Sequence, residues 1–200
     1  ARGFDAYDDA MVAEQIGEVQ DCLALRGARP VEWLLANADV GRNWNLVHAT
    51  HLDEEEVRDI AGSGATVAIC TTTEANLGDG LFPLRDYLDA GGRWGVGSDS
   101  NSSVDPVEEL RWLEYGQRLR AQRRNIASSM RVPSVGATLL DGVHASAADS
   151  TGFAAEDRIV LDADAAILAG ATEADVVDRW LFSGNRPLVR DVEINGVRVV

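Results

Sequence analysis

Residues 44–57 read Trp44-Asn45-Leu46-Val47-His48-Ala49-Thr50-His51-Leu52-Asp53-Glu54-Glu55-Glu56-Val57. A short apolar run ends in two histidines, and an aspartate with three glutamates follows. The run has the length and character of a buried strand with polar groups at its C-terminal end. Asp53 suits an N-cap. Glu54, Glu55 and Glu56 then fill a first helical turn, where the helix dipole favours acids. Gly62 and Gly64 end that helix.

This strand–loop–helix unit recurs downstream. Ala65–Cys70 is apolar and runs into Thr71-Thr72-Thr73-Glu74-Ala75-Asn76, a Gly78-Asp79-Gly80 loop and a helix from Pro83 to Ala90. Arg93–Val96 enters Gly97-Ser98-Asp99-Ser100-Asn101, after which Asp105-Pro106 pairs an N-cap with proline at the first helical position. The helix that follows is expected to run to about Asn125, with Val107, Leu110, Trp112 or Leu113, and Leu119 on its inner side. Upstream, apolar spacing from Val12 to Leu25 fits a helix ended by Gly27, although Ala10–Ala13 also reads as the tail of a strand. Pro30 opens a further helix to Asn37.

Strands alternating with helices at this spacing predict an α/β fold with a parallel sheet. The tail differs. Asp157–Asp162 and Val189–Val200 read as strands, Asn195-Gly196 as a two-residue hairpin turn, and Thr172–Phe182 as a helix between them. The expected organisation is a β/α body over residues 1–150 and a helix with small β-strands over 151–200.

Composition narrows the function. Thirty-three acidic residues face 18 basic ones, for a net charge of -15. Such a chain repels phosphate backbones, so no nucleic-acid partner is expected. Arg118, Arg120, Arg123 and Arg124 follow Glu108, Glu109 and Glu114 and read as a solvated, dipole-matched helix end. No apolar run nears the roughly 20 residues of a membrane-crossing helix. Cys22 and Cys70 form no CxxC pair and suggest reduced thiols in a cytoplasmic protein.

Three strand ends carry candidate chemistry: Glu14, His48 with His51, and Asp99. Singly, Glu14 reads equally as a helix N-terminal acid, Asp99 as a turn aspartate and either histidine as structural. Together they would converge on one mouth if the sheet curves into a barrel. That set suits metal-assisted hydrolysis, in which a metal lowers the pKa of bound water to about 7. The aspartate takes a proton, the histidine stabilises developing charge, and the glutamate delivers a proton to the leaving nitrogen.

The stretches AEQIGEVQDCLA (13–24), WNLVHATHLDEEEV (44–57), TTTEANLGDGLFPLRDYLDAGGR (71–93), GVGSDSNSSVDPVEELRWLEYGQRLR (95–120) and DRWLFSGNRPLVRDV (178–192) resemble the formimidoylglutamate deiminases of the metal-dependent amidohydrolase superfamily. The resemblance implies a distorted (β/α)8 TIM-type barrel with a small β-sandwich, of which this chain would be the C-terminal portion, strands five to eight. It implies hydrolysis of N-formimino-L-glutamate to N-formyl-L-glutamate and ammonia in histidine degradation, with one divalent metal, usually zinc. On the family pattern Glu14 follows strand five and shuttles protons, and His48 follows strand six and polarises the attacking water. Asp99 follows strand eight as metal ligand and base, while Glu74 and Asn76 on the strand-seven loop face the substrate.

The sequence also departs from that pattern. It has no His-x-His pair, Met11 stands where the family has a histidine ligand, and Asn101 stands where the family reads histidine after Ser-Asp-Ser. Of four expected ligands only Asp99 remains, whereas a catalytic zinc takes about three protein ligands. Two alternatives therefore stand beside the deiminase: a non-catalytic relative serving as an oligomerisation or binding module, and a related deaminase with another substrate. A half barrel leaves open sheet edges, so the expected partners are a small-molecule substrate and either a second copy or an N-terminal half.

Overall fold

A computed structural model describes residues 8–152 and 157–199. Its body is a four-stranded parallel sheet of β1 (Asp8–Val12), β2 (Trp44–His48), β3 (Thr66–Ile69) and β4 (Arg93–Val96), in the order β1-β2-β3-β4. Each strand thus pairs with its successor in the chain. Register sets Ala10 beside Leu46, Leu46 beside Val67 and Val67 beside Trp94.

The connections are helical: α1 (Ile16–Arg26) and α2 (Pro30–Asn37) after β1, α3 (Glu54–Ser63) after β2, α4 (Thr71–Leu77) and α5 (Leu84–Asp89) after β3, and α6 (Pro106–Ala121) after β4. The sequence signals at their ends are used as expected. Asp53 accepts hydrogen bonds from the Glu55 and Glu56 amides at 3.0 and 2.9 Å, and the Glu56 carboxylate accepts from the Asp53 amide at 3.1 Å. Gly27 ends α1 at φ +71°, a left-handed conformation that glycine adopts without strain.

Leu46, Val67, Ile69 and Trp94 of the sheet share one buried core with Val57 and Ile60 of α3, Leu110 and Leu113 of α6, and Leu139 of α7 (Val135–Thr151). Fully burying each such aliphatic side chain contributes about 1.5–3 kcal/mol. α7 lies against β4. A Cβ on Gly142 would come within 2.6 Å of the Trp94 indole, so only glycine permits this approach. The Trp94 amide donates to Ser146 Oγ at 3.2 Å. At the N-terminal end of the sheet, Arg42 and Arg93 both reach Asp149 of α7, at 2.5 and 2.6 Å.

Several expectations change. Residues 12–15 are not helical: Asp8–Val12 is a strand, and the helix begins at Ile16. Residues 71–77, expected as a polar loop, form the short helix α4. α6 ends at Ala121, and Trp112 and Leu119 lie exposed on its outer side, Leu119 at 76%. Arg118 is not simply solvated but pairs with the buried Glu114 at 2.7 Å. The segment after Asn125 holds the 17-residue α7, which weak apolar periodicity hid.

The tail forms an antiparallel sheet of β5 (Arg158–Leu161), β6 (Val189–Ile194) and β7 (Val197–Arg198). Asn195 and Gly196 make the expected hairpin turn, both at positive φ (50° and 76°). α8 (Val176–Phe182) begins later than expected, after a turn in which the Asp175 carboxylate accepts from the Thr172 amide at 2.6 Å. Leu181 of α8 packs into the body core, while Trp180 also contacts the tail cluster of Ala165, Leu168 and Leu188. Among the described residues no helix is long and apolar enough to cross a membrane.

Candidate active site

The candidate residues come from the C-terminal ends of the four parallel strands. Glu14 follows β1, His48 ends β2, Glu74 lies on α4 directly after β3, and Asp99 follows β4. The backbone here is unusual. Ala13, His48, Ala49 and Asp99 all have positive φ, at 50°, 71°, 50° and 47°. Such conformations cost a non-glycine residue roughly 1–2 kcal/mol and mark places where the fold re-aims the chain.

His48 is fully buried between two carboxylates. Its Nε2 lies 3.5 Å from Glu14 Oε1, and its Nδ1 lies 3.3 Å from Glu74 Oε1. Glu74 Oε1 also accepts the Cys70 amide at 3.0 Å. His48 Nε2 has no hydrogen-bond partner among the described residues. Burial disfavours the charged imidazolium, yet the Glu74 hydrogen bond and the charges of Glu14, Glu74 and Asp99 outweigh it and raise the His48 pKa. Burial raises the Glu14 pKa, with Asp79, Asp99 and Glu18 adding to the shift against the opposing influence of His48. Asp99 thus belongs to the same electrostatic neighbourhood as Glu14 and His48.

Hydrogen bonds hold the Asp99 turn. Thr73 Oγ1 donates to the Ser98 carbonyl at 2.8 Å, and Asn101 Nδ2 donates to the Thr72 carbonyl at 3.2 Å. The Thr72 amide in turn donates to buried Glu109 of α6 at 3.0 Å. Asn101 therefore staples the β4 loop to α4.

Glu74 is buried, with 2% exposure, and its carboxylate is engaged by His48 and Cys70. Asn76, two residues on, lies exposed on α4. His51 is occupied elsewhere: its Nε2 meets the Asp79 carbonyl at 2.8 Å. Sequence reasoning named Glu74 but missed its contact with His48, because the two residues are 26 apart and only the β2–β3 pairing brings them together. Burial pushes the neighbouring Cys70 thiol up to about 12, which leaves it a poor nucleophile.

The residues present do not make a metal centre by themselves. Among the described residues no three His, Cys, Asp or Glu side chains are grouped as a metal would need. Met11 on β1 offers a thioether, a poor partner for zinc in an oxygen and nitrogen site, and its side chain is 65% exposed. What the arrangement provides is a buried imidazole with a free Nε2, steadied on one side by a carboxylate and facing an acid of raised pKa on the other.

Residues 9–134 match the amidohydrolase family model. A formimidoylglutamate deiminase of Pseudomonas aeruginosa is 48% identical over 197 residues, covering 94% of this chain and 44% of that protein. An amidohydrolase structure from Brucella melitensis superposes with a TM-score of 0.89 at 42% identity, covering 97% of this chain and 44% of that one. A zinc-bound adenosine deaminase structure from Xanthomonas campestris gives 0.83 at 23% identity, over 97% of this chain and 45% of that one, which speaks for the fold alone. The chain thus spans less than half the length of the relatives it matches. With the family model spanning more than half of its residues and close identity extending across nearly all of it, the chain belongs to the amidohydrolase family, as a C-terminal portion of that family's barrel.

Proposed function

We propose that this chain carries the acid–base part of a deiminase site, one that hydrolyses the formimino C–N bond of N-formimino-L-glutamate to give N-formyl-L-glutamate and ammonia. The supporting observation is the row Glu14–His48–Glu74, with contacts of 3.5 and 3.3 Å at the C-terminal edge of the sheet. The 48% identical relative gives the substrate its name.

In this reading water adds to the amidine carbon, and the imine nitrogen leaves as ammonia. Glu14, its pKa raised by burial, holds a proton better than an exposed carboxylate does and passes it to the departing nitrogen. His48, held by Glu74 at Nδ1, presents Nε2 as an acceptor that orients and polarises the attacking water. Asp99 serves as base on the facing loop. A divalent metal, zinc in the Xanthomonas relative, would supply Lewis acidity. The donors among the described residues do not fit it unaided, so in this reading the remaining ligands would come from elsewhere in the natural polypeptide or from a second copy.

Met11 and Asn101, at positions where the resembled family has histidine, favour a second reading: a relative that has lost catalysis and serves as a binding or oligomerisation module. One experiment separates the two. Ammonia release is measured from N-formimino-L-glutamate and, for comparison, from adenosine, using the chain in its natural polypeptide context with metal content determined alongside. Release from the formimino substrate with near-stoichiometric metal supports the deiminase. A folded, metal-free and inactive protein supports the module, and preference for adenosine points to a related deaminase.

A further inference from the structure

We propose that Glu74 is a positioning residue that fixes the tautomer of His48, keeping the proton on Nδ1 and leaving Nε2 as a bare acceptor aimed at Glu14. The geometry comes from three elements. His48 ends β2, Glu74 sits in the first turns of α4 after β3, and Glu14 follows β1. His48 is fully buried, and no partner among the described residues satisfies its Nε2. On the other side of the ring, Glu74 Oε1 lies 3.3 Å from Nδ1 and is itself held by the Cys70 amide at 3.0 Å.

A carboxylate only accepts, so in the neutral ring the proton shared with Glu74 belongs to Nδ1. Glu14 could claim the same ring proton through Nε2, but it stands at 3.5 Å and is more exposed than Glu74. The nearer, better buried and amide-anchored carboxylate wins that competition. Carboxylate partners set the tautomer of functional histidines in this way. Glu74 thereby acts through His48, in contrast to the substrate contact expected from the sequence. Its importance for turnover rests on the deiminase reading, whereas its effect on the His48 tautomer does not.

The chain carries its own reference. His51 Nε2 lies 2.8 Å from the Asp79 carbonyl, an acceptor only, so neutral His51 must keep its proton on Nε2. Long-range proton–nitrogen NMR spectra of the uniformly labelled protein in its natural polypeptide, recorded at a pH above which the ring signals no longer move, distinguish the two tautomers. His48 is assigned by its loss in His48→Gln. The expected wild-type result is opposite tautomers for His48 and His51. Glu74→Gln retains an acceptor oxygen and should keep most of the Nδ1–H form, while Glu74→Ala should move the majority of the population to Nε2–H, with His51 unchanged.

A wild-type His48 protonated on Nε2 overturns the proposal, and this result needs no variant to fold. So does an Nδ1–H ring that persists in a folded Glu74→Ala. The spectra are read without substrate. An inactive protein that still shows the expected tautomers would count against the deiminase reading alone.

Discussion

The two ends of the parallel sheet are built in opposite ways. At the N-terminal end charges are matched: Arg42 and Arg93 converge on Asp149, and Asn45 bridges Asp9 and Ser150. At the C-terminal end Glu14 and Glu74 flank one imidazole that also feels the charge of Asp99, no arginine among the described residues pairs with that group, and the backbone at Ala13, His48, Ala49 and Asp99 is held at positive φ. One end pairs its charges and ties α7 to the sheet. The other gathers like charges and strained backbone at the strand ends where β/α barrels build their active sites.

Substitutions can break that contrast, and the largest effect is expected at His48. In the natural polypeptide, His48→Ala should reduce ammonia release from N-formimino-L-glutamate by about 10²–10⁴-fold, the usual worth of a positioned acid–base group. Undiminished release would remove His48 from the mechanism. Arg93→Ala should instead cost about 1–2 kcal/mol of stability, since it removes the partly buried guanidinium that donates to the Asp149 carboxylate. Chemical denaturation measures this loss. An unchanged midpoint would deny the matched end its structural role.

Asp99→Gly sharpens the comparison from the other side. Relief of the φ of 47° should stabilise the chain by about 0.5–1 kcal/mol while abolishing any turnover that uses Asp99. A destabilised Asp99→Gly would mean that the turn is not strained. The smallest effect is that of pH at Asp149. Hydrogen bonds from Arg42 and then Arg93 hold its carboxyl below the usual aspartate pKa. Its contribution is therefore present above the unfolded pKa of about 3.9 and disappears as pH falls through the lower folded value. Because the pair is partly exposed, Asp149→Asn should cost less than about 1 kcal/mol near neutrality, and nothing once both states are protonated. A cost that stays constant with pH would point to packing rather than charge.

Most of the body was legible because local signals and tertiary structure agree. The run from Trp44 does form a strand, with Leu46 and His48 buried and Trp44, Asn45 and Val47 half-buried, Asp53 caps α3, and Asn195-Gly196 turns a hairpin. Legibility failed where long-range packing decides. The β-branched Thr71–Thr73 run has little helix propensity, but Glu109 and Ser98 accept its hydrogen bonds and hold it as the start of α4. α7 buries little beyond Val135, Gly136, Leu139 and Ser146, so its inner face carries hardly any apolar stripe. At the site, residue types and strand-end positions pointed to Glu14, His48 and Asp99. The Glu74–His48 contact had no sequence signature, since its register exists only once β2 and β3 pair.

The strand order β1-β2-β3-β4 has a further consequence for how such a chain can vary. Because every strand docks on the one made just before it, no segment threads between earlier ones. Modules can be appended, exchanged or deleted at either flank while the remaining pairings keep their partners. Assembly can therefore spread outward from any one β/α unit, each new strand meeting a neighbour that is already in place.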